Sequence, residues 1–153
     1  DLNVCFLAFD DIVEKNNMER IKTIGDAYMC AGGVPIETAT HAVDAINAAI
    51  QIRDFIRRWN TTRASKGKRP WQVRIGIHTG PVIAGVVGKK RFAYDIWGDA
   101  VNIAARMEES GEHDQINISS FTHSLIKDQF NCAYRGRINA KNKGEIDMYF
   151  VES

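Results

Sequence analysis

An asparagine and an arginine four residues apart are the first pair of side chains in this sequence that could do chemistry. Asn102 and Arg106 lie in a segment with helical periodicity, so both leave the same helix face, one turn apart. An amide suits a ribose hydroxyl, and a guanidinium donates in a planar fork that matches phosphoryl oxygens. The pair therefore indicates contact with a ribose and a phosphate, with a solvated surface arginine as the alternative.

A lysine and an aspartate far apart in sequence form a second candidate pair. Lys22 and Asp95 each lie near the end of a predicted strand. A carboxylate can accept a hydrogen bond from an exocyclic amine, and an ammonium can donate to a ring nitrogen. Together they match the donor and acceptor pattern of adenine's edge and are mismatched with that of guanine. An ordinary surface salt bridge is the alternative interpretation.

Asp26 and Lys141 add possible contacts to metal ions and phosphates. Asp26 lies at the tip of a Gly25-Asp26 turn, where a short acidic side chain is common for conformational reasons alone. Its carboxylate could also bind Mg²⁺ or Mn²⁺, hard cations that take oxygen ligands, although one aspartate is not a metal site. Lys141 lies in a lysine-rich turn, where it is either solvated or neutralises a phosphate.

The elements that must position these residues follow from apolar periodicity and turn residues. Helices are predicted over residues 2–13, 38–59, 100–109 and 120–128, with Arg53 on the solvent side of the second helix. Strands are predicted over residues 21–24, 27–31, 71–77, 82–87, 92–96, 116–118, 133–138 and 146–151, with a polar connector over 61–70. Strands and helices mix without strict alternation, which favours an α+β fold with helices on one side of a sheet.

Composition limits the classes of protein to which the chain can belong. Its 153 residues fit a single domain, 1–153, and are 44% hydrophobic and 25% charged, as in ordinary globular proteins. The net charge of +1 gives no reason to expect a nucleic-acid partner. The three cysteines are widely spaced, which argues against a disulfide framework or a zinc site. No apolar run approaches the length of a membrane span.

Taken together, the motifs resemble the class III adenylyl and guanylyl cyclases, and in family order they extend over essentially all 153 residues. The motifs are Ile21-Lys22-Thr23-Ile24-Gly25-Asp26-Ala27-Tyr28-Met29, His78-Thr79-Gly80-Pro81-Val82, Ala84-Gly85-Val86-Val87-Gly88, Tyr94-Asp95-Ile96-Trp97-Gly98-Asp99-Ala100-Val101-Asn102, Ala105-Arg106-Met107-Glu108 and Lys141-Asn142-Lys143-Gly144. The resemblance implies a ferredoxin-like α+β sandwich with extra strands.

The resemblance also implies which residues bind the base. Lys22 and Asp95 would hold adenine, with Ile96 and Trp97 among the substrate-binding residues. The guanylyl branch typically has Glu and Cys at the positions of Lys22 and Asp95. The chain therefore resembles the adenylyl branch.

Sugar, phosphate and metal contacts are implied in the same way. Asn102 would orient the ribose and Arg106 would stabilise charge on the α-phosphate, while Lys141 would bind the terminal phosphates. Asp26 would be one of two aspartates that bridge two Mg²⁺ or Mn²⁺ ions. The implied reaction is in-line attack of the ribose 3′-hydroxyl of ATP on the α-phosphorus, which gives 3′,5′-cyclic AMP and pyrophosphate.

The family builds each site between two catalytic domains, which makes a second cyclase domain, identical or not, the expected partner. Asp26 would come from one chain, and Lys22, Asp95, Asn102, Arg106 and Lys141 from the other. We expect the domain to face the cytosol and to follow a sensory or membrane domain in the parent protein.

Two departures from the family pattern matter. The family's Lys-Gly-Lys-Gly turn has Asn142 in place of the first glycine, and a Phe-x-Asp-Ile-x-Gly-Phe-Thr strand with the second metal aspartate is not found. Asp10 and Asp11 are no substitute, because Val13-Glu14-Lys15 follows instead of Gly-Phe-Thr; both are predicted to face solvent on a helix. We therefore expect a domain that lacks the N-terminal strand and helix, and residues 1–153 alone to be inactive.

Two other functions remain as alternatives. A guanylyl cyclase is disfavoured by Lys22 and Asp95. A catalytically inactive domain that regulates a second cyclase domain is disfavoured by the presence of Asp26, Asn102 and Arg106. A P-loop NTPase is excluded, since Lys90 follows Gly88-Lys89 where Ser or Thr belongs, and Ile83 stands where the first glycine of the motif belongs.

Overall fold

The computed structural model describes residues 1–90, 93–140 and 143–152, and these form four helices and eight strands. In chain order the elements are α1 (Leu2–Lys15), β1 (Met18–Ile24), β2 (Ala27–Gly32), α2 (His41–Ser65), β3 (Ile75–Ile77), β4 (Ile83–Val87), β5 (Ala93–Trp97), α3 (Asp99–Glu109), β6 (Ile116–Ser119), α4 (Ser120–Ile126), β7 (Asn131–Ala140) and β8 (Gly144–Glu152). The predicted α+β class is confirmed. No helix in this part of the chain is long and apolar enough to cross a membrane.

The described strands form three hydrogen-bonded sheets rather than the single sheet expected. One has four strands in the order β3-β6-β8-β7, and two are the antiparallel hairpins β1-β2 and β4-β5. Strands β3 and β6 run parallel, whereas β8 is antiparallel to both of its neighbours. The hairpin β4-β5 approaches β1, which brings two distant parts of the sequence together.

Helix α1 forms because its apolar residues recur at three- and four-residue spacing and bury one face. Cys5, Phe6 and Phe9 are buried against α2 and the first hairpin. Asp11 is exposed, as expected, but the prediction that Asp10 faces solvent is wrong. Asp10 is partly buried, since it accepts a 2.7 Å hydrogen bond from Tyr28 and lies 3.1 Å from the Arg20 guanidinium.

Helix α2 is longer than predicted and buries one of its arginines. Residues 61–65 continue the helix because no glycine or proline interrupts them, and it ends at Ser65, just before Gly67 with its φ of 70°. The placement of Arg53 on the solvent side is wrong, since this residue is only 5% exposed. Its guanidinium lies 3.5 Å from the Asp54 carboxylate.

Strand β3 is shorter than predicted, because the main chain of Trp71 finds a partner outside the sheet. The Asn60 amide accepts from the Trp71 N–H at 2.7 Å and donates to the Trp71 carbonyl at 2.9 Å. These bonds from α2 replace the strand pairing that the apolar alternation indicated. The strand predicted over 92–96 is β5, and Phe92 lies outside the described residues.

Candidate functional site

Helix α3 carries the predicted ribose and phosphate ligands and begins directly after β5. Gly98 precedes it with a φ of 136°, a conformation that favours glycine. The buried Ile103 and Met107 hold one face of α3 on the core, so Asn102 and Arg106 point to the exposed face. The Arg106 guanidinium donates a 3.0 Å hydrogen bond to the carbonyl of Asn139 on β7. The predicted spacing of Asn102 and Arg106 on one helix face is thus present.

Lys22 and Asp95, 73 residues apart, meet where β1 approaches β5. The Lys22 ammonium donates to Oδ2 of Asp95 at 2.9 Å, and the N–H of Ile96 donates to Oδ1 at 2.8 Å. Both bonds stabilise the carboxylate, so the Lys22 contact and then the Ile96 contact hold the pKa of Asp95 below its usual range. The fold therefore presents a fixed carboxylate beside an ammonium, and the ammonium keeps further donor capacity.

Hairpin β4-β5 fixes the two other residues assigned to the base. Ile96 is 7% exposed, so its side chain belongs to the core and only its main chain is presented beside Asp95. Trp97 is 41% exposed and its ring packs on Gly85, where a Cβ would lie 3.4 Å from Cζ3 of the indole. Ile83 and Val87 on β4, which share a face of the hairpin with Asp95 and Trp97, are also exposed, at 73% and 43%. An exposed apolar surface therefore lies beside Asp95 on this face of the hairpin.

Asp26 lies apart from these residues, exposed at the turn between β1 and β2. It has no hydrogen bond or ion pair to any described residue. In the described part of the chain no group of three or more His, Cys, Asp or Glu side chains could hold a metal ion. Asp26 can therefore supply one metal ligand, and these residues do not form a two-metal centre by themselves. Lys141 lies outside the described residues.

A polar cluster for which the sequence predicted no role lies under the start of α3. Nδ1 of His78 lies 2.7 Å from Oγ of Ser119, and the Thr79 and Thr122 hydroxyls are 2.8 Å apart. His78 and Thr79 border a cavity of about 150 Å³ that also contacts Ala100, in the first turn of α3. Only the Ser119 cap was predictable, because a serine before an apolar run is a common helix start.

Burial gives the cluster a pH dependence that can be measured. Desolvation, and to a lesser degree the charge of Lys143, lowers the pKa of His78 to about 4. In the unfolded chain the His78 imidazole has a pKa near 6.5 and binds the proton more readily. The free energy of unfolding therefore falls as pH drops from about 6.5 towards 4. We expect urea unfolding to show that the titration of His78 lowers the free energy of unfolding by about 1–2 kcal/mol between pH 7 and pH 5. His78→Asn should remove that loss, whereas the same change at the exposed His113 should not.

A scan against protein families and a search of curated proteins relate the chain to nucleotide cyclases. The family model described as the adenylate and guanylate cyclase catalytic domain matches residues 1–153. The chain is 39% identical over 157 residues to an adenylate cyclase of Mycobacterium tuberculosis, covering 98% of this chain and 33% of that protein. It is 40% identical over 151 residues to the soluble guanylate cyclase subunit beta-2 of Rattus norvegicus, covering 98% of this chain and 22% of that protein. The chain thus spans a third or less of these relatives' length.

Solved cyclase structures share the fold. The adenylyl cyclase CyaB from P. aeruginosa has a TM-score of 0.91 at 31% identity, covering 99% of this chain and 80% of that chain. The guanylate cyclase domain of RhGC from Catenaria anguillulae, in complex with GTP, has a TM-score of 0.88 at 33% identity, covering 99% and 81%. A dimeric guanylyl cyclase domain of RhoGC from Blastocladiella emersonii has a TM-score of 0.86 at 31% identity, covering 98% and 80%. Relatives of both nucleotide specificities therefore share this fold, and the chain belongs to the adenylate and guanylate cyclase catalytic domain family.

Proposed function

We propose that this domain is an adenylyl cyclase, which converts ATP to 3′,5′-cyclic AMP and pyrophosphate. The observation that carries the proposal is the 2.9 Å contact between the Lys22 ammonium and the Asp95 carboxylate. Adenine presents an acceptor at N1 and a donor at its 6-amino group, so the lysine donates to the first and the aspartate accepts from the second. Guanine presents a donor and an acceptor at these positions, which places like hydrogen-bonding groups against each other.

Helix α3 supplies the sugar and phosphate contacts in this proposal. Asn102 orients the ribose, and Arg106 stabilises the charge that develops on the α-phosphate as the 3′-hydroxyl attacks and pyrophosphate leaves. The exposed position of both side chains on one helix face supports these roles. Lys141 is assigned to the terminal phosphates.

Divalent metal ions are used by class III cyclases. Asp26 is the described residue that we assign to them, and the described part of the chain has no group of three or more His, Cys, Asp or Glu side chains that could hold a metal ion. When bound, the metal ions neutralise phosphate charge and lower the pKa of the attacking hydroxyl. Because one carboxylate holds two such ions poorly, we propose that residues 1–153 alone have little or no activity.

A second catalytic domain completes the site in this proposal. Support comes from the exposed apolar side chains of hairpin β4-β5 that share a face with Asp95, namely Ile83, Val87 and Trp97. Apolar patches of this kind mark protein–protein contacts. Asp26 of one domain then faces the nucleotide held by Lys22 and Asp95 of the other. In the parent protein we place the domain on the cytosolic side, where ATP is abundant.

The proposal is tested by assaying the full-length protein with Mn²⁺, offered ATP and GTP separately. We expect cyclic AMP to form in preference to cyclic GMP. Exchanging Lys22→Glu together with Asp95→Cys should shift the ratio of kcat/KM for the two nucleotides towards GTP by roughly 10- to 100-fold, because a two-point hydrogen-bonded contact to a base contributes about 1–3 kcal/mol of discrimination.

A matched control replaces a lysine with glutamate and an aspartate with cysteine at two exposed positions away from the proposed base contacts. Lys127→Glu with Asp128→Cys makes the same change of charge just after α4, and should leave nucleotide preference unchanged. An unchanged preference in the Lys22 and Asp95 variant would contradict the assigned base pocket. No product from either nucleotide in the wild type would instead indicate a regulatory partner domain.

A further inference from the structure

The last turn of α3 lies directly on a pair of residues in the four-stranded sheet. Gly76 on β3 and Asn117 on β6 are opposite one another in the parallel ladder. A Cβ on Gly76 would lie 2.6 Å from the carbonyl carbon of Met107 and 2.6 Å from Cα of Glu108. Cβ atoms do not approach non-bonded atoms this closely. The peptide between Met107 and Glu108 therefore contacts the sheet backbone with no side chain between them.

Asn117 makes the polar part of this contact. Its side chain is completely buried, and Nδ2 donates a 2.8 Å hydrogen bond to the Met107 carbonyl. The carbonyls in the last turn of a helix have no partner within the helix. Here the Ser110 N–H bonds to the Arg106 carbonyl and the Gly111 N–H to the Glu108 carbonyl. Asn117 supplies the partner that Met107 lacks.

A second side chain from the sheet holds Ser110, the C-cap residue that follows α3. Nη1 of Arg135 on β7 donates to the Ser110 carbonyl at 2.6 Å, while its guanidinium lies 4.2 Å from the centre of the Phe150 ring. Strands β6 and β7 therefore each bind the end of α3 through a side-chain donor. Arg106, the residue before Met107, extends from this same turn to the Asn139 carbonyl.

We propose that Asn117 is a positioning residue for Arg106. Its hydrogen bond to Met107 fixes α3 along the helix axis, and so fixes the guanidinium one residue earlier relative to β7 and the bound nucleotide. The inference rests on the proposed function, in which Arg106 acts on the α-phosphate. An aliphatic side chain of similar size fills the space but donates nothing, which lets the last turn move away from Gly76. Because Arg106 acts at the reacting phosphate, such a displacement lowers kcat more than it raises KM.

The first test is steady-state kinetics of the full-length protein carrying Asn117→Leu. We expect kcat to fall roughly 10- to 100-fold, while KM for ATP changes by less than about threefold. Ile126→Val, which removes a methyl group from a fully buried residue of α4 in another core cluster, controls for a general loss of stability and should leave kcat unchanged. If Asn117→Leu does not fold, Asn117→Ala provides the same comparison.

A double-mutant cycle with Arg106→Ala separates positioning from a structural effect. When Arg106 is absent, Asn117→Leu should lower kcat no further, since there is no guanidinium left to misplace. An equal loss in both backgrounds, or a loss confined to KM, would overturn the inference.

A readout independent of activity keeps the two proposals distinguishable. The NMR signal of the Arg106 Nε–H group should move in Asn117→Leu and stay in place in Ile126→Val. An unmoved signal overturns the positioning role even if the enzyme is active. A wild type that makes no cyclic nucleotide, with a signal that moves as expected, overturns the proposed function and retains the structural link between Asn117 and Arg106.

Discussion

Replacing Gly76 with alanine is expected to cost about 3 kcal/mol or more of unfolding free energy and to abolish nearly all activity. The added Cβ would overlap the backbone nitrogen of Glu108 and lie 2.6 Å from the Met107 carbonyl carbon, and a helix backbone cannot move aside as a flexible side chain can. A loss of this size is a large fraction of the unfolding free energy of a typical domain, which is about 5–15 kcal/mol. Molecules that remain folded must displace α3, and with it Arg106.

Equilibrium unfolding in urea and kcat measured on the folded fraction test this prediction. Gly32→Ala is the matched control, since Gly32 is also a strand glycine and a Cβ there would first meet the flexible Met18 side chain at 3.4 Å. The control should change stability by less than about 1 kcal/mol. A Gly76→Ala protein as stable and as active as the control would show that α3 does not rest on β3 as described.

Replacing Arg106 with alanine should lower kcat by roughly 10²–10³-fold if the guanidinium stabilises charge on the α-phosphate. Stability should change by less than about 0.5 kcal/mol, because the side chain is exposed and its hydrogen bond to the Asn139 carbonyl is at the surface. A large fall in kcat with little change in stability separates this variant from Gly76→Ala, in which both fall.

The control for Arg106→Ala is Arg58→Ala on α2. Arg58 is also exposed on a helix, and it has no hydrogen bond or ion pair to another described residue. This variant should retain full activity and stability. Single-turnover assays with excess protein would show whether Arg106→Ala slows the chemical step itself. A kcat within threefold of wild type would exclude the proposed role of Arg106.

Helices and turns were the elements most accessible from sequence, because their signals are local. The spacing of Phe6, Phe9 and Val13 indicated α1, and the Gly25-Asp26 turn indicated the first hairpin; both are present. The start of β3 was misplaced for a non-local reason. The Asn60 amide on α2 binds the Trp71 main chain before β3, and no periodicity encodes that contact.

In the candidate site, too, some features could be predicted from the sequence and others depend on the tertiary structure. The sequence by itself determined the α+β class, the family, and the residue types that could read a nucleotide, because hydrogen-bonding chemistry belongs to a side chain wherever it lies. Only the tertiary structure placed Lys22 against Asp95, buried Ile96 beneath them, and set the last turn of α3 on Gly76 and Asn117. Those contacts depend on which strands become neighbours, and that is decided by packing of the whole core rather than by any local pattern.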